Sequence, residues 1–288
     1  MASTATTQQS TVRIPKSTSI CEVSSIDSTC DSICRPHLLI EPRIDGYDWV
    51  NLPTWVFYIK HAATSRQLVF DLGGRKDWEN HVPTIRKLIE DHVPGWRVSA
   101  DVADLLAQGN IDAQNIEAVI LSHAHPDHAG SPQTLPQSVN LVVGPGFKDS
   151  FLPGYPSNPN SVFHEADFEG REIIEIHFTD EFTIGSMQAF DYFGDGSLYI
   201  LNIPGHATGH IGSLVRTTSD SFVLLAGDAY HMPGVIRPSK DVPMPDTIPE
   251  ACIFDNHISL PCVSSDFMRC HPVSQTANSV SVKLSSKI

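Results

Sequence analysis

The chain has 288 residues, a formal net charge of −14 and a hydrophobic fraction of 41%. That length can bury a sizeable core, as one large domain or two small ones, and that hydrophobic fraction excludes global disorder. The acidic balance argues against nucleic acid as the main partner and disfavours anionic membranes, because both need clustered Lys and Arg. No run of about 18 apolar residues exists to form a transmembrane helix.

Residues 1–35 are polar and rich in Ser and Thr, and are expected to form a mobile N-terminal tail in which residues 12–14 can add a short edge strand. The first twenty residues lack the apolar centre of a secretory signal. The six cysteines, at 21, 30, 34, 252, 262 and 270, are therefore expected to be free thiols of a cytoplasmic protein rather than disulfides. The apolar, aromatic run 55–59 and the run Gln67–Phe70 read as a hairpin. Asp71-Leu72-Gly73-Gly74 follows as a turn, with Asp71 expected in a structural role. Pro83–His92 reads as a helix with Ile85, Leu88 and Ile89 on one face and Pro83 at its first position. Residues 101–108 read as a second helix, with Gly109 placed for its C-terminal cap.

Residues 118–121 form a buried strand. Directly after it comes Ser-His-Ala-His-Pro-Asp-His-Ala-Gly, residues 122–130. Three imidazoles and one carboxylate, His123, His125, Asp127 and His128, fall within six residues. Imidazole nitrogen and carboxylate oxygen are the ligands of a borderline-soft divalent ion such as zinc. Loops leaving the carboxyl ends of strands are where α/β folds place their sites. In extended chain His123 and His125 share a face and can meet one ion. Pro126 and Gly130 favour a change of direction that turns Asp127 and His128 towards a second position.

Further along, Asn140–Val143 is a short buried strand. Residues 144–160 mix Gly, Pro, Asn and Ser with Phe147, Phe151, Leu152 and Tyr155, and are expected to wall a substrate pocket. Residues 172–177 read as a strand, and 188–192 with 198–203 as a hairpin around Gly194-Asp195-Gly196. His206 follows that last strand, and Asp228 follows the strand Phe222–Leu225. Each repeats the same order: apolar strand, glycine, ligand-type residue. The pattern alone supports a mixed α/β fold.

His-x-His-x-Asp-His after an apolar strand resembles the metallo-β-lactamase superfamily of binuclear metal hydrolases. Phe70-Asp71-Leu72-Gly73, Val143-Gly144-Pro145-Gly146-Phe147 and Ile236-Arg237-Pro238-Ser239 look like its lactonase-like branch, the N-acyl homoserine lactonase type and similar fungal hydrolases. The resemblance implies a four-layered αββα sandwich over residues 36–250, followed by an atypical C-terminal tail, 251–288. It implies two zinc ions, one on His123, His125 and His206, the other on Asp127 and His128, with Asp228 shared. His210 would orient its loop. A seventh ligand, a late histidine, has only His257 and His271 as candidates, and neither follows an apolar strand, so the second position is expected to be the weaker.

The activity implied is ring opening of a small cyclic ester or cyclic amide by metal-bound hydroxide, with Asp127 moving the proton. Tyr230 or His231 would donate to the oxyanion. The alternatives are a thioesterase of the same superfamily and a catalytically impaired metal-binding protein. The partner expected is a small-molecule substrate, with no nucleic acid and no membrane.

Overall fold

The computed structural model describes residues 12–41, 46–232, 235 and 269–270. In chain order it runs β1 (Cys21–Cys34), β2 (Ile40–Glu41), β3 (Val50–His61), β4 (Gln67–Phe70), α1 (Pro83–His92), α2 (Val102–Gln108), β5 (Ile116–Ile120), α3 (Pro126–Ala129), β6 (Asn140–Val143) and α4 (Phe147–Phe151). It continues with β7 (Ile173–Glu175), β8 (Thr183–Ile184), β9 (Met187–Asp191), β10 (Leu198–Asn202), β11 (Ile211–Arg216), β12 (Phe222–Leu225) and β13 (Arg269–Cys270). One mixed sheet has the order β1-β3-β4-β5-β6-β7, and an antiparallel sheet has the order β12-β11-β10-β9-β8. The backbone of β13 pairs with that of β2. The class is α/β, as expected.

Side-chain alternation explains how the layers stack. Successive residues of a strand point to opposite faces. In the first sheet Leu68, Phe70, Ala118, Ile120 and Val142 face the second sheet, where they meet Leu198, Ile200, Ile211, Val215 and Leu225. The residues between them, Val69, Val119, Leu141 and Val143, face outward and bury Val102 and Leu106 of α2 and Phe147 of α4. The central strands are covered on both faces, so they read as continuous apolar runs rather than as alternation. On the far face of the second sheet, Tyr199, Leu201 and Leu214 pack with Ile14 and Phe182.

Two helix ends behave as the residue types dictate. Pro83 opens α1, and Ile85 and Ile89 are its buried face. The backbone N–H of Gly109 closes α2 on the Leu105 carbonyl, but the left-handed residue of this turn is Asn110, at φ 57°.

The polar tail expected over 1–35 is overturned for residues 21–34. They form β1, paired antiparallel with β3 from Cys21 opposite His61 to Cys34 opposite Val50. Its inward positions include Ser28, Cys30, Ser32 and Cys34, small side chains that carry little apolar signal. Partnership with β3, not propensity, makes this segment a strand. A bulge between Asp27 and Cys30 sets Thr29 at φ 59° and lets Ser28 Oγ donate to the Thr54 carbonyl. Ser28 then lies against Gly73, at φ 62°, where a Cβ would approach Ser28 Cβ to 2.5 Å. Residues 12–14 form no strand. Cys21, Cys30 and Cys34 are free and buried, and burial pushes the Cys30 thiol up to about 12. Strand β11, buried at all six positions, was not expected from sequence. Among the described residues no helix is long and apolar enough to cross a membrane.

Because β1 covers β3 and packs on the turn after β4, a chain lacking residues 1–34 should lose cooperative thermal unfolding, followed by circular dichroism. An unchanged sharp transition would show β1 to be dispensable.

Candidate metal centre

The six ligand-type residues singled out in the sequence lie far apart in the chain and meet in space. The donor atoms of His123, His125, His206 and Asp228 all lie within 4.8 Å of one another, and so do those of Asp127, His128 and Asp228. His123 and His125 leave the end of β5 in extended chain, and His125 caps α3, with Pro126 at its first position. That single helical turn carries Asp127 and His128 round to the second group. Gly130, at φ 51°, ends it against Leu72, where a Cβ would come within 2.5 Å of the Leu72 carbonyl oxygen. His206 follows β10 and Asp228 follows β12, so the second sheet supplies the remaining donors.

The separations fit a metal ion. His206 Nε2 lies 3.1 Å from His123 Nε2 and 2.9 Å from His125 Nδ1. A tetrahedral ion with bonds of about 2.0–2.1 Å places its ligand atoms about 3.3 Å apart. Asp228 Oδ2 is 3.4 Å from His206 Nε2 and 3.9 Å from His123 Nε2, while its Oδ1 is 3.0 Å from His128 Nε2. One carboxylate thus faces both groups.

A second layer of hydrogen bonds sets which ring nitrogens are bare. Asp71, buried and at φ 61°, accepts from the Ser122 N–H at 2.6 Å and from Ser122 Oγ at 2.8 Å. It also accepts from His128 Nδ1 at 2.8 Å. With its own proton directed at Asp71, Ser122 Oγ accepts from His123 Nδ1 at 3.0 Å. Both His123 and His128 therefore carry their proton on Nδ1 and leave Nε2 free for a metal. His210 spans the next gap. Its Nδ1 donates to the Ile203 carbonyl at 2.7 Å, and its Nε2 accepts from the Asp228 backbone N–H at 3.0 Å.

The electrostatics follow from crowding. Burial, reinforced by the charge of neighbouring histidines, holds His123 well below the usual imidazole range and pushes His206 down to about 2. For His128 burial works the same way, but Asp228, Asp127 and Asp71 outweigh it and raise the group well above that range. Burial would raise the Asp228 carboxyl, yet His128 and a hydrogen bond from His231 hold it well below the usual carboxylate range. Cation binding and carboxylate ionisation favour each other here.

A cavity of about 500 Å³ opens beside these donors. Asp127, His128 and Asp228 line it at one end, and Leu52, Trp55, Leu224, Tyr230 and Met232 wall it. The expectation that residues 144–160 form this wall is overturned, since none of them lines this cavity. Phe147 is instead buried, with its ring centroid 4.9 Å from that of Phe151 and 5.3 Å from that of Phe163. The aromatics that suggested a pocket pack on each other. The wall comes from the start of β3 and the end of β12, whose exposed Trp55 and Leu224 were visible in sequence only as apolar strand residues. His257 and His271 lie outside the described residues, as do residues 236–239.

Two sheets packed face to face, with a histidine and aspartate cluster at the strand ends, are the fold and donor arrangement of the metallo-β-lactamase superfamily. Residues 52–251 match the metallo-beta-lactamase superfamily, and the chain belongs to it. It is 40% identical over 272 residues to a gamma-lactamase of Fusarium pseudograminearum, covering 91% of this chain and 65% of that protein. It is 48% identical over 183 residues to a gamma-lactamase of Gibberella moniliformis, covering 62% of this chain and 77% of that protein. The chain thus spans slightly less than two thirds of the Fusarium relative's length. A crystal structure of a quorum-quenching N-acyl homoserine lactone lactonase shares the fold, with a TM-score of 0.52 at 14% identity over 74% of each chain.

Asp71→Asn keeps a residue that tolerates positive φ but replaces one acceptor oxygen with a donor facing Ser122 or His128. It should cost about 1–3 kcal/mol of stability in urea unfolding, and metal retained after dialysis should fall. Wild-type stability and metal content would show that the Asp71 contacts are incidental.

Proposed function

We propose that the chain is a zinc-dependent hydrolase that holds two ions and opens the ring of a small cyclic ester or cyclic amide. The observation that carries this is the convergence of two donor groups on Asp228 beside a cavity with a largely apolar wall. His123, His125 and His206 would hold the first ion, Asp127 and His128 the second, with Asp228 between them. An ion bound there supplies a Lewis acid and lowers the pKa of water towards neutrality.

The chain's own residues do the rest. Asp71 and Ser122 keep His123 and His128 in the tautomer that presents Nε2. His210 holds the Asp228 backbone. Asp127, on the cavity side of α3, takes the proton released on attack and returns it to the leaving oxygen or nitrogen. Tyr230 borders the same cavity and can donate to the carbonyl oxygen as it gains charge.

The cavity also bears on substrate class. Its volume suits a small molecule, and among the described residues its lining includes neither lysine nor arginine. A thioester carried on a coenzyme or a phosphorylated carrier would bring anionic groups that find no cation among the described lining residues. This favours an uncharged lactone or lactam over the thioesterase alternative. Lactone and lactam share their first steps, and the names of the relatives, gamma-lactamases, lend weight to the amide.

Exhaustive chelation should abolish hydrolysis across a panel of lactones, lactams and thioesters, and zinc should restore it. His123→Ala and His206→Ala should each lose metal while keeping the far-ultraviolet dichroism of the fold. Full activity with metal confirmed absent would sink the metal-hydrolase reading. Preference for thioesters over every ring substrate would replace it with the thioesterase.

The wall residues make a separate prediction. Leu224→Ala and Trp55→Ala should raise KM on the order of tenfold with metal content unchanged, because their side chains are half exposed beside the cavity and touch no metal donor in the hydrogen-bond network. Phe147→Ala should lower the melting temperature and leave KM alone. The reverse pattern would return the pocket wall to residues 144–160.

A further inference from the structure

Asp228 belongs to both donor groups, so the orientation of its carboxylate decides whether the two groups close together. Its backbone is held by His210 at 3.0 Å. That bond leaves the carboxylate plane free, because the terminal torsion of aspartate is broad rather than staggered. The contacts to His206, His123 and His128 cannot hold the plane once metal binds, since the Nε2 atoms concerned are the ones committed to metal.

His231 is different. It is a member of neither donor group. Its Nε2 lies 3.2 Å from Asp228 Oδ2, and its side chain is 7% exposed. Its ring centroid is 5.1 Å from that of His206, tilted by 59°, so the imidazole is wedged beside the first group without entering it. Resting on the two-ion reading above, the geometry points to His231 as the positioning residue that locks Asp228 across both metal positions. Its Nε2–H donates to Oδ2. A carboxylate oxygen has two lone pairs, so Oδ2 still faces the first position while Oδ1 faces the second.

The consequence falls unequally on the two positions. Without a well-aimed Asp228 the first still has three imidazoles, whereas the second keeps only Asp127 and His128 among the described residues. Loss of a partner that orients a ligand typically weakens metal affinity about 10–100-fold, and here the second ion bears that loss.

The test uses the full chain, stripped by chelation and titrated with zinc chloride against a chromophoric chelator, with bound metal counted by elemental analysis. His231→Phe keeps a ring and removes the donor. It should bind the first ion as before and the second about 10–100-fold more weakly, with the metal-free melting temperature unchanged. His231→Gln restores an N–H donor and should recover most of the loss; His231→Leu serves as the donor-free variant if the phenylalanine chain does not fold. Unchanged affinity for the second ion in the donor-free variant, or equal losses in the donor-free and glutamine variants, would overturn the assignment. Failure of the unaltered chain to bind zinc at all would overturn the metal reading itself.

Discussion

The site depends on one buried carboxylate. Asp71 accepts three hydrogen bonds, from the Ser122 N–H, Ser122 Oγ and His128 Nδ1. A carboxylate shielded from water needs such partners, and donors left unpaired beside it would each carry a desolvation penalty. The three bonds join the end of β4 to the end of β5 and to α3. Through Ser122 the same carboxylate sets the proton of His123. One residue outside both donor groups thus determines how two histidines on different segments present themselves. Its left-handed backbone, Gly73 at φ 62° and the Ser28 bulge are the steric conditions for placing it there.

Around that carboxylate the two sheets divide the work. The first, mixed sheet brings β5 and its ligand loop to an edge of the sheet interface. The second brings His206 and Asp228 to the same edge from β10 and β12. The Ile211 N–H bonds the Ser122 carbonyl at 2.9 Å, so the sheets are joined directly beneath the donors. Apolar packing between Phe70, Ile120, Leu198, Ile211 and Leu225 holds the strand ends at a fixed spacing. Interiors packed this densely transmit position well, and metal sites need ligands placed to a few tenths of an ångström.

Charge is distributed with the same economy. His123 and His206 are held neutral by burial and crowding, while Asp228 stays ionised. That combination favours a divalent cation over a proton. The cavity beside it combines an apolar wall with the carboxylates of Asp71, Asp127 and Asp228, a lining that suits the neutral ring compound proposed above.

The cluster of ligand-type residues was legible from the chain because its chemistry is local. His123, His125, Asp127 and His128 are packed into one loop, and His206 and Asp228 each repeat an apolar strand followed by glycine and a ligand. The α/β class, the hairpin around Gly194-Asp195-Gly196 and the helices at 83–92 and 102–108 were equally readable, because periodicity and turn chemistry act over a few residues. Strand β1 was not, since Ser28, Cys30, Ser32 and Cys34 become a buried face only when β3 lies beside them. The aromatics of 144–160 looked like a pocket wall, and only packing showed that Phe147, Phe151 and Phe163 satisfy one another. Nor does sequence spacing tell which oxygen of Asp228 meets His231, or that His210 and Asp71 aim the ligands. Residue types and short-range spacing determined the chemistry available; contacts made only in the folded chain decided its geometry, because hydrogen-bond direction and side-chain packing exist only once the segments meet.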